Sequence, residues 1–227
     1  MKKTLFLLLL SFQLSYSQFG IINDVDGYVN VRSTAQKGNN ISDKLQNGSV
    51  VYYFEPQGNW VSIDYKKNGK ECNGYIYKDR IKYITDFKNV PLKSTLTDKV
   101  ILENEIIKVE IATTPFIKAN HKLKFLHKDS NIVEKIDGRQ VFGTDGEIPK
   151  TQYKFITFEI NKTPVEIPQS ALQNLYEPNL YNSKANYDAV NDILYLQSSN
   201  SDGAGGYEIV WIIEKKKFKT RIEAYGF

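Results

Sequence analysis

Cysteine is almost absent. The 227 residues hold one, Cys72, which excludes an intramolecular disulfide and any cysteine-cluster metal site. Histidine is nearly as scarce, with two residues, so there is little material for histidine-based catalysis. No long apolar run follows the N-terminal segment, and a bilayer span needs about 20 such residues. Charge of one sign is missing too: 30 basic residues face 26 acidic ones, a formal net charge of +4. That balance argues against bulk electrostatic binding of nucleic acid. What the chain has instead is aromatic rings, with 15 Tyr, 12 Phe and 2 Trp. Tyr and Phe favour strands, so a mainly β chain is expected.

Residues 1–17 read as a secretory signal. Lys2 and Lys3 give the charged start, Leu5 to Leu10 the short apolar stretch, and Ser15-Tyr16-Ser17 the small residues before a cleavage point at Gln18. No cysteine stands near that point to take a lipid anchor. Removing Lys2 and Lys3 leaves 28 basic against 26 acidic residues, so the exported chain is close to neutral. Cys72 is then an odd thiol in an exported protein, either half-buried on a strand or paired between chains.

Residues 20–84 hold short alternating runs with turn signals between them. Tyr28 to Arg32, Val50 to Phe54, Trp60 to Tyr65 and Gly74 to Tyr77 read as strands. Asn47-Gly48 and Asn68-Gly69 are turn dipeptides. Four or five short strands in so few residues point to a small barrel or sandwich. Val29, Val31, Val51, Val61, Ile63 and Ile76 are its expected core.

Four pieces in order, Gly27-Tyr28-Val29-Asn30-Val31-Arg32-Ser33, Leu45-Gln46-Asn47-Gly48-Ser49-Val50-Val51, Asn59-Trp60-Val61-Ser62-Ile63 and Gly74-Tyr75-Ile76, give this stretch its character. They resemble the bacterial SH3 (SH3b) domain. The family often has Gly-Pro after its "NVRS" strand, where this chain has Thr34 to Gly38, and Lys66 to Glu71 lengthens the last hairpin. Both departures fall on loops, where change is tolerated. The resemblance implies an SH3-like barrel over residues 18–85 that binds cell-wall peptide or glycan, or an extracytoplasmic protein.

Tyr52, Phe54, Trp60, Tyr65, Tyr75 and Tyr77 are more rings than so small a core can hold. The surplus either forms an exposed binding groove or packs against the second half of the chain. Tyr28, Trp60 and Tyr75, with Asn59 as a polar neighbour, are the candidate ligand-binding residues.

Residues 86–97 lack periodicity and read as a linker or as the lead into a second domain. Residues 98–227 read as a second, antiparallel β domain of no recognised family. It has a hairpin at Asp137-Gly138, one short helix opened by Pro168 over Gln169–Tyr176, and a final meander over 193–225. The first domain, residues 18–88, is expected to fold alone.

Ser198 to Gly206 is the most unusual stretch, small and polar between two strong strands. It has no Gly-Lys-Ser/Thr and leads into a strand, so it is not a P-loop. Ser201, Asp202, Gly203, Gly205 and Tyr207 are candidates for contact with a protein partner, as in a loop that enters an enzyme cleft. The carboxylates of Asp137, Asp145 and Glu147 lack the calcium-loop series. His121 and His127, even with Asp129, make an incomplete zinc set. No Gly-x-Ser-x-Gly elbow occurs. The expectation is an exported, non-catalytic binding protein without cofactor or metal, nucleic-acid partner or membrane span. The alternatives are a cell-wall hydrolase with catalysis in residues 98–227, and an inhibitor or immunity-type protein acting through the Ser198–Tyr207 loop.

Overall fold

The computed structural model describes residues 18–201 and 203–225. The export signal read over residues 1–17, and Asp202 of the contact loop, lie outside the described residues. The chain is mainly β, and none of its helical segments among the described residues exceeds a short 3-10 turn.

Seven strands open the chain: β1 (Gln18–Ile22), β2 (Tyr28–Arg32), β3 (Ile41–Gln46), β4 (Val50–Tyr53), β5 (Trp60–Lys67), β6 (Lys70–Tyr77) and β7 (Ile81–Tyr83). They form one curled sheet in the order β3-β2-β6-β5-β4-β1-β7. Alternation fixes which side chains enter its interior. The six expected core residues are all buried there, joined by Ile22, Leu45, Tyr53, Tyr65 and Ile81. Two glycines let strands approach closely. A Cβ on Gly20 would lie 2.4 Å from Ile81 Cγ2, and one on Gly74 2.4 Å from Val31 Cγ1.

The second unit begins earlier than a linker at 86–97 would allow. That segment holds two strands, β8 (Lys88–Val90) and β9 (Leu92–Thr95). Then come β10 (Lys99–Glu103), β11 (Ile107–Pro115), β12 (Leu123–Phe125), β13 (Val133–Ile136), β14 (Arg139–Gln140), β15 (Thr151–Ile160) and β16 (Thr163–Val165). The last four are β17 (Ser183–Asp188), β18 (Ile193–Asn200), β19 (Tyr207–Glu214) and β20 (Lys217–Tyr225). Two five-stranded sheets, β16-β15-β11-β10-β9 and β20-β19-β18-β17-β8, face each other. The core between them includes Val109, Ile111, Phe158 and Ile160 from one sheet, and Leu194, Leu196, Ile209 and Trp211 from the other. A small sheet, β12-β13-β14, lies beside them.

The expected helix is corrected. Only Gln169–Ala171 forms a 3-10 turn. Asn174 and Glu177 sit at positive φ, 59° and 47°, which a continuing helix cannot accommodate.

The outer face of the β17–β20 sheet is apolar as well. Tyr195, Val210 and Ile212 meet Phe19, Ile21, Tyr52 and Ile84 of the first unit, with Phe54 and Phe87 packed around them. β19 is therefore buried on both faces, which is why it reads as an almost unbroken apolar run.

Candidate functional site

The outward faces of β2, β5 and β6 make one aromatic surface. Val61 and Ile63 point inward, so Trp60 and Ser62 point outward. In the β5–β6 register Trp60 stands opposite Tyr77, and Ser62 opposite Tyr75. The Trp60 and Tyr77 rings lie 4.3 Å apart at 40°. Tyr28 and Asn30 continue the surface on β2.

Cations lie over these rings. The Arg32 guanidinium is 6.0 Å from the centre of Trp60, Lys37 Nζ is 5.3 Å from Tyr77, and Lys44 Nζ is 3.6 Å from Tyr28. Such contacts are favourable because the ring face is electron-rich. Arg32 is held in place because Nη1 donates to Gly38 O at 2.9 Å and to Asn40 Oδ1 at 2.8 Å. Asp24, Asp26 and Asp79 edge the far end, where Arg80 pairs with Asp24 at 2.7 Å and with Asp79 at 3.2 Å. The groove enclosed by these groups measures about 390 Å³.

Of the four candidate ligand residues, Tyr28 and Trp60 line this groove. Tyr75 stands on the same face one pair further along, opposite Ser62 and Arg32, and does not line it. Asn59 is exposed, and its carbonyl accepts the Lys78 N–H at 3.0 Å, closing the end of the hairpin. Tyr77, Arg32 and Lys37 belong to the groove but were not among the candidates. Tyr77 was within reach of the pattern, since it lies two residues beyond Tyr75 on the same strand face. The remaining rings go elsewhere. Tyr65 is buried in the curled sheet with its hydroxyl donating to Asp43 Oδ2 at 2.9 Å. Tyr52 and Phe54 pack against the second unit.

Two residues of the candidate contact loop are corrected, Gly205 and Tyr207, which pack against the protein itself. Ser198, Ser199 and Asn200 continue β18, opposite Ile209, Glu208 and Tyr207. Asn200 Oδ1 accepts from Tyr153 Oη, Asn179 N and Ser198 Oγ at 3.3, 2.8 and 3.0 Å, inside the protein. Tyr207 is 1% exposed, and its hydroxyl donates to Tyr176 O at 3.2 Å. An inward-pointing tyrosine at the start of β19 cannot present itself to a partner. Gly205 is packed on the 143–147 loop: its carbonyl accepts Gly143 N–H at 3.0 Å, and a Cβ there would lie 2.5 Å from the Thr144 carbonyl carbon. Gly203 is exposed, and Ser201 lines a shallow groove of about 660 Å³ with Asp145 and Glu147.

His121 pairs with Asp137 rather than forming a set with His127 and Asp129. Among the described residues no group of three or more His, Cys, Asp and Glu is arranged to hold a metal ion. No helix among them is long and apolar enough to cross a membrane.

Compared with protein-family models, with curated proteins and with solved structures, the chain finds no match.

Proposed function

We propose that the chain is an exported, non-catalytic binding protein whose SH3b-like first unit takes a cell-wall peptide or glycan, or an extracytoplasmic protein segment, in the Tyr28–Trp60–Tyr77 groove. The observation behind this reading is the closely packed, tilted Trp60–Tyr77 pair on an outward strand face, bordered by guanidinium, ammonium and carboxylate groups. Aromatic rings on one face supply large contact area at low entropic cost, while the charged border fixes orientation. The order of charged, apolar and small residues over 1–17 supports export.

Tryptophan emission offers a direct test, because the chain has only two tryptophans and Trp211 is fully buried in the sandwich. Residues 18–227 titrated with soluble peptidoglycan fragments should show an emission change that disappears in Trp60→Phe. Binding that survives Trp60→Ala unchanged would remove the groove from the reading. Release of soluble fragments from intact peptidoglycan would replace it with a hydrolase.

A further inference from the structure

The second unit holds a histidine–carboxylate pair that the binding groove leaves unused. Asp137 occupies the tight turn between β13 and β14, at φ 52° and followed by Gly138 at φ 76°. Its Oδ2 lies 2.7 Å from His121 Nδ1, and its Oδ1 accepts the Lys122 N–H at 2.8 Å. The imidazole also stacks on Phe116, with ring centres 4.4 Å apart at 15°. Two contacts thus orient the ring and leave Nε2 as the nitrogen for a ligand.

A cavity of about 310 Å³ opens beside the pair. Arg139, Lys154, Gln152 and Gln173 line it together with His121 and Asp137. Arg139 and Lys154 are exposed and bring two positive charges against the single negative charge of Asp137. Gln173 Oε1 is buried without a hydrogen-bond partner among the described residues. A buried acceptor left unpaired is costly, and a ligand N–H satisfies it.

These groups define the ligand chemistry. A planar guanidinium suits a carboxylate, which it can hold through two parallel hydrogen bonds. The carboxylate of Asp137 in the wall disfavours a dianion. The acceptor of Gln173 calls for a donor next to the anionic group. We propose that this cavity binds a carboxylate monoanion flanked by an amide N–H, with Arg139 and Lys154 on the carboxylate, His121 Nε2 beside it and Gln173 Oε1 accepting the N–H. Either a peptide C-terminus or a small free N-acyl amino acid offers that pair of groups.

The two histidines give a clean readout, since His127 does not line the cavity. The Hε1 resonances of residues 18–227 are assigned with His127→Gln and followed during titration with N-acetylglycine. The His121 signal should move while that of His127 stays still, and N-acetylglycine amide, which lacks the charge, should move neither. Acetate lacks the N–H and should bind about tenfold more weakly. Arg139 is exposed on the short strand β14, so Arg139→Gln should fold and leave the ligand-free His121 signal in place while weakening binding about tenfold or more. A tripeptide with a free C-terminus that binds more tightly than N-acetylglycine identifies a peptide end, whereas exclusion of the tripeptide identifies a free acid. The proposal is overturned if His121 does not respond at millimolar N-acetylglycine, if Arg139→Gln binds as well as the parent, or if inorganic phosphate binds more tightly than the carboxylate.

Discussion

Trp60 and Trp211 show how differently one residue type can be used in one chain. Trp211 is fully buried, and its indole N–H donates to Ala171 O at 2.8 Å. Trp211→Ala is expected to cost about 3–5 kcal/mol of stability, as other large core truncations do. Trp60 is half-buried on the outer strand face and, among the described residues, belongs to no core cluster. Trp60→Ala should weaken ligand binding by about 2 kcal/mol or more and move the Tm little. Calorimetric titration and thermal melting on the same preparations check both expectations. Glu208 makes a pH-dependent case. Burial pushes its carboxyl up to about 6, against the opposing hydrogen bond from Ser199. Between the usual carboxylate range and pH 6 the folded state therefore holds more protons than the unfolded state. The sign follows: stability falls as pH rises through that window. Glu208→Gln should raise the Tm relative to the parent above pH 6, and the difference should shrink as the pH falls and vanish below pH 4.5. A difference that stays constant with pH would rule out charge burial as the cause.

At the level of elements, period-2 alternation made most of the first unit legible. It named Val29, Val31, Val51, Val61, Ile63 and Ile76 as core, and all six are buried. β3 escaped because it is an edge strand with a polar sequence and only Leu45 fully buried. β8 and β9 escaped for a different reason: their residues carry no pattern, and pairing orders them, β8 against the distant β17, where Val90 stands opposite Ala185, and β9 against β10 next to it in the chain. The Gly-rich stretch was conspicuous in sequence, but its role depends on the 143–147 loop, which lies far away along the chain. Gly143 sits at φ 106°, and a Cβ there would lie 2.0 Å from Tyr176 O. Gly143→Ala should therefore destabilise the protein by about 3 kcal/mol or more, from backbone strain and overpacking together. Gly203 has positive φ without such crowding, so Gly203→Ala should cost only about 1 kcal/mol. Urea denaturation of the two variants measures the contrast. Part of the groove was legible in the same way, through Tyr28 and Trp60. The cations over the rings were not, because Arg32 and Lys37 reach them from a neighbouring strand and loop that only the folded sheet brings near.

For the whole molecule, the question is whether the two units are separable. The surplus rings of the first unit had two possible destinations in the sequence, and the structure divides them. Trp60, Tyr75 and Tyr77 face outward, whereas Tyr52 and Phe54 join Phe19, Ile21 and Ile84 against the β17–β20 sheet. The Lys66–Glu223 pair bridges the same junction at 3.0 Å, and an exposed pair of this kind adds little. The junction is thus held mainly by buried apolar area. The segment between the units is also tied down. Phe87 stacks on Tyr195 at 5.6 Å, its carbonyl accepts from Asn186 Nδ2 at 3.2 Å, and β8 is hydrogen-bonded to β17. Residues 18–88 looked self-sufficient when judged by strands and turns alone. Cut free, however, they would expose Phe19, Ile21, Tyr52 and Ile84 together, a continuous apolar patch that favours association. The isolated segment is therefore expected to self-associate and to melt well below the intact chain. Limited proteolysis of the intact chain should find residues 86–94 no more accessible than other loops. Size-exclusion chromatography with thermal melting tests the first expectation, and mass spectrometry of early proteolytic fragments tests the second. A monomeric segment with the melting temperature of the intact chain, or rapid cleavage confined to 86–94, would show that the apolar junction does not bind the units into one cooperative structure.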